Sequence, residues 1–218
     1  MTGILGNPLF IEGYLTTLAL TAGAMLASLF IGTLVASLRV WGGPIMRSLT
    51  GTYVEFFRNT PLLVQLFFLY FATPFIGIYL GEPDTFGFRA AALGLTLYHA
   101  AYVAEIVRGG LLAVDKGQIE AARSLGLSYL GMLREVQLPQ TFRAVIPPLG
   151  NIAIALVKNT SLAATIGVAD LLFAGDIVES RTFRAEEAYA AVAVLYLSLT
   201  IPLGLLVNYL EKRMIVAR

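Results

Sequence analysis

The chain has few charged residues, no cysteine and a single histidine. Of its 218 residues 13% are charged, about half the fraction typical of soluble domains, whereas 57% are hydrophobic and the mean hydropathy is +0.77. A soluble core cannot absorb so much apolar surface in a chain of this length, so the composition predicts a polytopic membrane protein in contact with lipid. Without cysteine there are no disulfides or thiolate metal sites, and one histidine excludes a multi-histidine site within one chain, so we expect no metal. The net charge of +1 gives no reason to expect nucleic-acid binding.

Five long apolar segments predict an all-α membrane protein with five transmembrane helices. A helix needs about 20 apolar residues to cross a bilayer. Three segments of that length carry no charge, and two more are interrupted by a few charges. We treat residues 13–213 as one domain. The predicted spans are 13–38, 55–80, 88–113, 147–172 and 187–210.

The basic residues predict how these spans are oriented. If the N-terminus lies outside, the inner segments hold eleven Lys and Arg residues and the outer segments three, with Lys158 inside the membrane. This positive-inside bias predicts that the N-terminus lies outside and the C-terminus inside. We expect no cleaved signal peptide, because the first basic residue is Arg39.

The inner segment between spans 3 and 4, about 115–143, has the pattern of two short helices. Residues 118–125 are rich in helix formers, and Gly126 is placed to end that helix in a left-handed cap. A second helix over 128–138 carries an apolar stripe, and we expect Pro139 to end it. Two such helices are suited to docking a partner protein or to lying on the membrane surface, and the pattern leaves both readings open.

A spaced motif in this loop resembles the EAA loop of ABC importer permeases. Its residues are Glu120, Ala121, Ala122, Gly126, Val136, Leu138 and Pro139. Isoleucine is the usual residue of that family where this chain has Val136. The segments 54–65, 109–118 and 156–168 resemble permeases for polar amino acids of the histidine, glutamine and glutamate type. The resemblance implies the type I importer permease fold, in which the loop forms coupling helices that sit in a groove of a cytosolic ATPase.

The resemblance also implies partners and a location. No G-x-x-x-x-G-K-[ST] phosphate-binding loop occurs in the chain, so we expect a transporter subunit that is not itself an enzyme. The implied partners are a cytosolic ABC ATPase dimer that binds ATP and Mg²⁺, a second permease subunit and an extracytoplasmic amino-acid-binding protein. The second permease is either a copy of this chain or a paralogue. The implied location is the bacterial cytoplasmic (inner) membrane.

Polar residues inside the spans are candidate substrate contacts. An unpaired ionisable residue at mid-membrane is costly, which makes it a functional candidate by default. Lys158 lies near the middle of span 4 and begins a run of four polar residues, which covers every face of a helix. This stretch therefore lines a polar cavity or is locally unwound. The candidates on spans 4 and 3 are Lys158, Asn159, Thr160, Ser161, His99, Tyr102 and Glu105.

Structural roles would explain the same residues. Lys158 could pair with Glu105, Glu105 could instead pair with Arg108 one turn away, and the hydroxyls could bond to their own helix. Arg58, at the inner entry of span 2, could snorkel or contact the solute, and we expect it to snorkel. A cation beside amide and hydroxyl donors suits a carboxylate-bearing solute, and the resemblance implies glutamate, aspartate or their amides. An ion-coupled secondary amino-acid transporter is the alternative class, but it would leave the EAA-type loop without a role.

Overall fold

A computed structural model describes residues 6–215, which form eight helices and contain no strand. The helices are α1 (Pro8–Trp41), α2 (Pro44–Asn59), α3 (Leu62–Phe75), α4 (Pro83–Leu112), α5 (Lys116–Ser124), α6 (Tyr129–Ile166), α7 (Leu171–Thr182) and α8 (Ala185–Ile215). Helices α1, α4, α6 and α8 are long and apolar enough to cross a membrane, whereas α3 is apolar but shorter. The all-helical membrane fold is confirmed in this part of the chain.

The predicted second span, 55–80, is divided between two helices. The chain is extended at Thr60 and Pro61, where α2 ends and α3 has not yet begun. Pro61 causes this break, because a proline disfavours the helical conformation in the residue before it and lacks an N–H of its own. At this break the Nε2 of Gln65 donates to the carbonyl oxygen of Thr60 at 3.2 Å, so this backbone acceptor has a hydrogen-bond partner.

The prediction that Pro139 ends the second helix of the loop is wrong. Helix α6 continues past it to Ile166, so the second half of the loop and the predicted fourth span are one helix. Just before the proline the backbone widens into a π-type turn (Leu133–Gln137), in which the N–H of Leu138 donates to the carbonyl of Leu133. The wider turn accommodates the proline ring and its missing N–H, so the helix is not broken.

Helix α6 ends before the predicted end of span 4. Its last turns tighten to a 3₁₀ helix (Thr160–Ile166), and Gly167 ends it with a φ of +78°. The segment predicted as an outer loop then forms α7. Asp170 caps that helix by accepting from the N–H of Phe173 at 3.0 Å, and its other carboxylate oxygen accepts from the hydroxyl of Tyr196 on α8 at 3.0 Å. One buried carboxylate thus fixes α7 to α8.

Helix α1 packs more extensively on α4 than on any other helix, and small residues allow the close contact. A Cβ added at Gly32 would lie 2.6 Å from Cβ of Val103 and 2.8 Å from the carbonyl oxygen of Ala100. The buried hydroxyl of Ser28 donates to the carbonyl of Thr96 at 3.0 Å. Small residues are typical of helix contacts in membrane proteins, where close packing replaces the hydrophobic effect. The main buried apolar cluster joins α1, α3, α4 and α6 and includes Leu20, Leu66, Leu95, Leu156 and Ile166.

Candidate functional site

The middle of α4 meets α6 through two of the residues predicted from the sequence. His99 is only 1% exposed, and its Nδ1 lies 2.7 Å from the carbonyl oxygen of Leu95. A carbonyl oxygen can only accept, so Nδ1 carries the proton and Nε2 is the acceptor for Nδ2 of Asn159 at 3.2 Å. His99 and half-buried Asn159 therefore form a polar contact between α4 and α6, with the histidine neutral.

The other three residues of the polar run on α6, which are Lys158, Thr160 and Ser161, do not enter that contact. Thr160 is buried and donates to the carbonyl of Val157 at 2.7 Å, and Ser161 donates to the carbonyl of Lys158 at 2.7 Å. Both hydroxyls thus bond to their own helix, which is tightened here rather than unwound. Lys158 is exposed, and it forms no ion pair with any carboxylate of residues 6–215. The alternative pairing with Glu105 is not formed.

Glu105 lies at the centre of a cluster of arginines towards the C-terminal end of α4. Its Oε2 is 2.8 Å from Nη2 of Arg108, as the local alternative predicts, and 4.0 Å from Nη1 of Arg58. Its Oε1 pairs with Arg39. We call these four residues the arginine cluster; it joins α1, α2 and α4 and has a formal charge of +2.

The sequence does not place two members of this cluster, Arg39 and Arg58, beside Glu105. It predicts positive-inside positions for both and snorkelling for Arg58, because each lies near the end of a predicted span. A signal for the cluster was present nonetheless. Glu105 is the one carboxylate in the predicted span 88–113, and such a residue needs charged partners, which here come from α1 and α2 as well as from Arg108.

Tyr102 lies between the arginine cluster and the contact of His99. Its hydroxyl is 3.0 Å from that of Tyr98, and the guanidinium carbon of Arg58 is 5.3 Å from the centre of its ring. The latter is a cation–π contact. His99, Tyr102 and Glu105 recur every three residues and follow one side of α4. We call them the α4 polar line.

The segment that resembles an EAA loop folds as α5, a tight turn and the first turns of α6. Gly126 donates to the carbonyl of Arg123 at 2.9 Å, and Leu127 donates to that of Ala122 at 3.2 Å, which is the Schellman pattern of a helix end. Gly126 has a φ of +79°, so the predicted left-handed position is confirmed. Ala122 is buried, whereas Ala121 is exposed.

This turn exposes several apolar side chains. Leu125 is 84% exposed, Leu130 71% and Tyr129 59%, and the carboxylate of Glu120 lies in the same exposed segment. A group of exposed apolar side chains on a connecting segment suits contact with another protein. Of the other residues of the motif, Val136 and Leu138 are half-buried and Pro139 is exposed.

Two glutamines fasten this loop to the helix bundle. Gln137 is buried and its Nε2 donates to the carbonyl of Leu111, the penultimate residue of α4, at 3.1 Å. Gln140 donates to Oε1 of Gln118 on α5 at 2.6 Å. Both glutamines lie on α6, so α5 and the end of α4 are held to the same helix. A polar cavity of about 630 Å³ lies beside them, between α4, α6 and the end of α8.

The chain is similar to known membrane proteins over nearly its whole length. Residues 15–216 match the family described as the inner membrane component of binding-protein-dependent transport systems. The probable glutamine ABC transporter permease protein GlnM of Bacillus subtilis is 41% identical over 206 residues, which are 94% of this chain and 93% of that protein. The glutamine transport system permease protein GlnP of Escherichia coli is 40% identical over 207 residues, which are 95% and 93% of the two chains. The glutamate transport system permease protein GluC of Corynebacterium efficiens is 37% identical over 220 residues, which are 97% of this chain and 96% of that protein.

Solved structures agree with this result. The crystal structure of an amino acid ABC transporter with histidines contains a chain that is 37% identical, with a TM-score of 0.86 and 94% of each chain covered. The inward-facing methionine ABC transporter MetNI, at 22% identity, shares the fold with a TM-score of 0.70, over 94% of this chain and 96% of that one. The fold is thus that of the type I ABC permeases. The chain belongs to the family of inner membrane components of binding-protein-dependent transport systems, and it is a protein of the bacterial inner membrane, as predicted.

Proposed function

We propose that this chain is the permease subunit of an ATP-driven importer for polar amino acids, with glutamine or glutamate as the first candidates. The observation that carries the proposal is the 41% identity, over 94% of the chain, to a protein described as a probable glutamine ABC transporter permease. The similarity to a glutamate permease supports the inclusion of acidic substrates. Aspartate and asparagine have the same chemistry and stay within the proposed class.

In this proposal the N-terminus lies outside the cell, and α3 together with the end of α2 completes a fifth span. The eleven-to-three distribution of basic residues supports this orientation. It puts α5 and the first turns of α6 in the cytosol. The proposed partners are a separate ATPase dimer that holds ATP and Mg²⁺, a second permease subunit and an extracytoplasmic binding protein.

The ATPase would contact the loop at its exposed turn. Leu125, Tyr129 and Leu130 offer an apolar surface, and Glu120 offers a charge for a basic group of the partner. Helix α6 is unbroken from this turn to Asn159, so a displacement of the loop moves the polar contact in the middle of the bundle. This continuity is the physical basis that we propose for alternating access.

The substrate would meet α6 at Lys158 and Asn159 and α4 at its polar line. The ammonium group of Lys158, unpaired within residues 6–215, suits a carboxylate of the solute. We expect Lys158→Gln to lower uptake of L-glutamate about tenfold or more, the effect of losing a hydrogen bond to a charged group. Assembly with the ATPase should be kept, and Lys158→Arg should retain part of the uptake. Lys212→Gln, an exposed lysine of α8, is the matched control, and normal uptake by Lys158→Gln would remove this residue from the site.

The proposed function is tested by reconstituting the chain with its ATPase and binding protein in proteoliposomes. We expect uptake of radiolabelled L-glutamine or L-glutamate when ATP is present on the ATPase side, and none of L-leucine. Uptake that follows an ion gradient and does not need ATP would contradict the proposal and favour the ion-coupled alternative.

A further inference from the structure

The arginine cluster has more positive charge than its carboxylate can balance. Three guanidinium groups face Glu105, which leaves two charges in excess. Nε of Arg108 is buried and has no hydrogen-bond partner among the described residues. Because unpaired charges and donors are costly away from water, a cluster of this kind favours the binding of an anion.

Arg58 is the member of the cluster that is free to bind such an anion. Its Nη1 is 4.0 Å from Oε2 of Glu105, beyond hydrogen-bonding distance, whereas Arg39 and Arg108 are closer. Its side chain is 43% exposed, compared with 18% for Arg39. The ring of Tyr102 supports its guanidinium group from one side, and the planar fork of donors remains available to a bidentate partner.

The ligand chemistry is that of a single carboxylate or phosphate group, which guanidinium groups bind in the same bidentate manner. A transported amino acid supplies the former, and a phospholipid headgroup supplies the latter. The side chains along α4 favour the solute. Arg58 lies over the ring of Tyr102, and the hydroxyl of Tyr102 is 3.0 Å from that of Tyr98. The centre of the ring of Tyr98 is 5.2 Å from that of His99. Polar and aromatic groups thus lead from Arg58 to the contact of His99. Glu105 lies six positions after His99, a rise of about 9 Å along the helix.

We propose that Arg58, held over the ring of Tyr102, is the ligand-facing residue of an anion site that takes the carboxylate of the transported amino acid. This site lies nearer the C-terminal end of α4 than the contact of His99 with Asn159. Glu105 acts as the internal counter-ion that holds Arg58 in place when no solute is bound. This inference rests on the proposed function and adds to it a second binding site for the same solute.

The test is a binding measurement on the purified complex of permease and ATPase in nanodiscs, without the binding protein. L-Glutamine is compared with L-glutaminamide, which has an uncharged amide in place of the α-carboxylate. We expect the wild type to prefer glutamine, and Arg58→Gln to lower glutamine affinity about 10- to 100-fold, the range for a hydrogen bond to a charged group. The affinity for L-glutaminamide should not fall. Arg47→Gln, on the same helix and exposed, is the matched control and should keep the preference.

Arg58→Lys separates a binding role from a structural one, and it also serves if Arg58→Gln fails to assemble. It keeps the charge but not the bidentate fork, so the preference for glutamine should be reduced and not abolished. An unchanged ratio of the two affinities in either variant, with a wild type that binds glutamine, overturns this inference and leaves the proposed function standing. A wild type that binds neither compound also overturns this inference, whereas the proposed function is judged by the uptake assay.

The lipid source is distinguished by the composition of the nanodisc. If Arg58→Gln leaves glutamine affinity unchanged and instead lowers the amount of phosphatidylglycerol bound to the purified permease, a headgroup occupies the site and the assignment to the solute is overturned. If Arg58→Gln lowers glutamine affinity by the same factor in discs with and without phosphatidylglycerol, the assignment is supported.

Discussion

Replacing Gly126 by alanine tests whether the turn after α5 sets the shape of the proposed coupling surface. Gly126 has a φ of +79°, and the left-handed region costs an L-residue about 1–2 kcal/mol. No atom of residues 6–215 lies within 4 Å of an added Cβ, so backbone strain is the only expected effect. A change of about 1–2 kcal/mol lowers the equilibrium constant of the native turn about 5- to 30-fold. The ATPase would bind only the native turn and would have to shift the loop back to it. The apparent affinity of the ATPase for the permease should therefore fall by up to about 5- to 30-fold.

The assay is a fluorescence titration of the purified ATPase against the permease in nanodiscs. Gly109→Ala is the matched control, because Gly109 is helical and, in the described part of the chain, also has no atom within 4 Å of an added Cβ. An alanine in a helix is favoured over glycine by about 0.5–1 kcal/mol, so this variant should keep its ATPase affinity and unfold at a slightly higher temperature. Wild-type ATPase affinity in a folded Gly126→Ala protein would refute the role that we give to the turn.

Two further predictions concern stability and are checked by thermal unfolding of the purified chain in one detergent. Gly32→Ala should destabilise the protein by about 1–3 kcal/mol, because its Cβ would come within 2.6 Å of Val103. Gly23→Ala, on the same helix, meets no described atom within 4 Å and should have no such effect. Equal behaviour of the two variants would contradict the close packing. Asp170→Ala should cost about 1–2 kcal/mol, because α7 loses its cap and the hydroxyl of Tyr196 loses its acceptor. Asp170→Asn keeps an acceptor and should retain most of the stability, so an equal loss in both variants would show that the charge matters more than the cap.

Many of the features that the sequence predicted correctly depend on interactions between residues close together in the chain. The left-handed position of Gly126 depends on neighbouring residues alone, and so does the i,i+3 pair of Glu105 with Arg108. The back-bonded hydroxyls of Thr160 and Ser161 are local in the same way. These features are readable from sequence because the interacting groups lie within one or two helical turns of each other.

Pro139 shows where local rules were insufficient. A proline is expected to end a helix because its ring clashes with the preceding turn and it has no N–H to donate. Here the wider π-type turn before Pro139 accommodates both effects, and α6 continues. Gln137, in the same turn, holds this part of α6 against α4. The local rule therefore failed because it does not predict the π-type turn, which lets the helix continue past the proline.

The amino-acid sequence by itself determined the membrane environment, the predicted orientation, the family and the end of α5, because composition, charge bias, motif spacing and capping all act along the chain. The tertiary structure alone decided which polar groups meet. Arg39, Arg58 and Glu105 come from three helices, and Asn159 reaches a histidine 60 residues away. A charged or polar group between helices must find its partner in space, and that partner depends on how the helices pack rather than on sequence spacing.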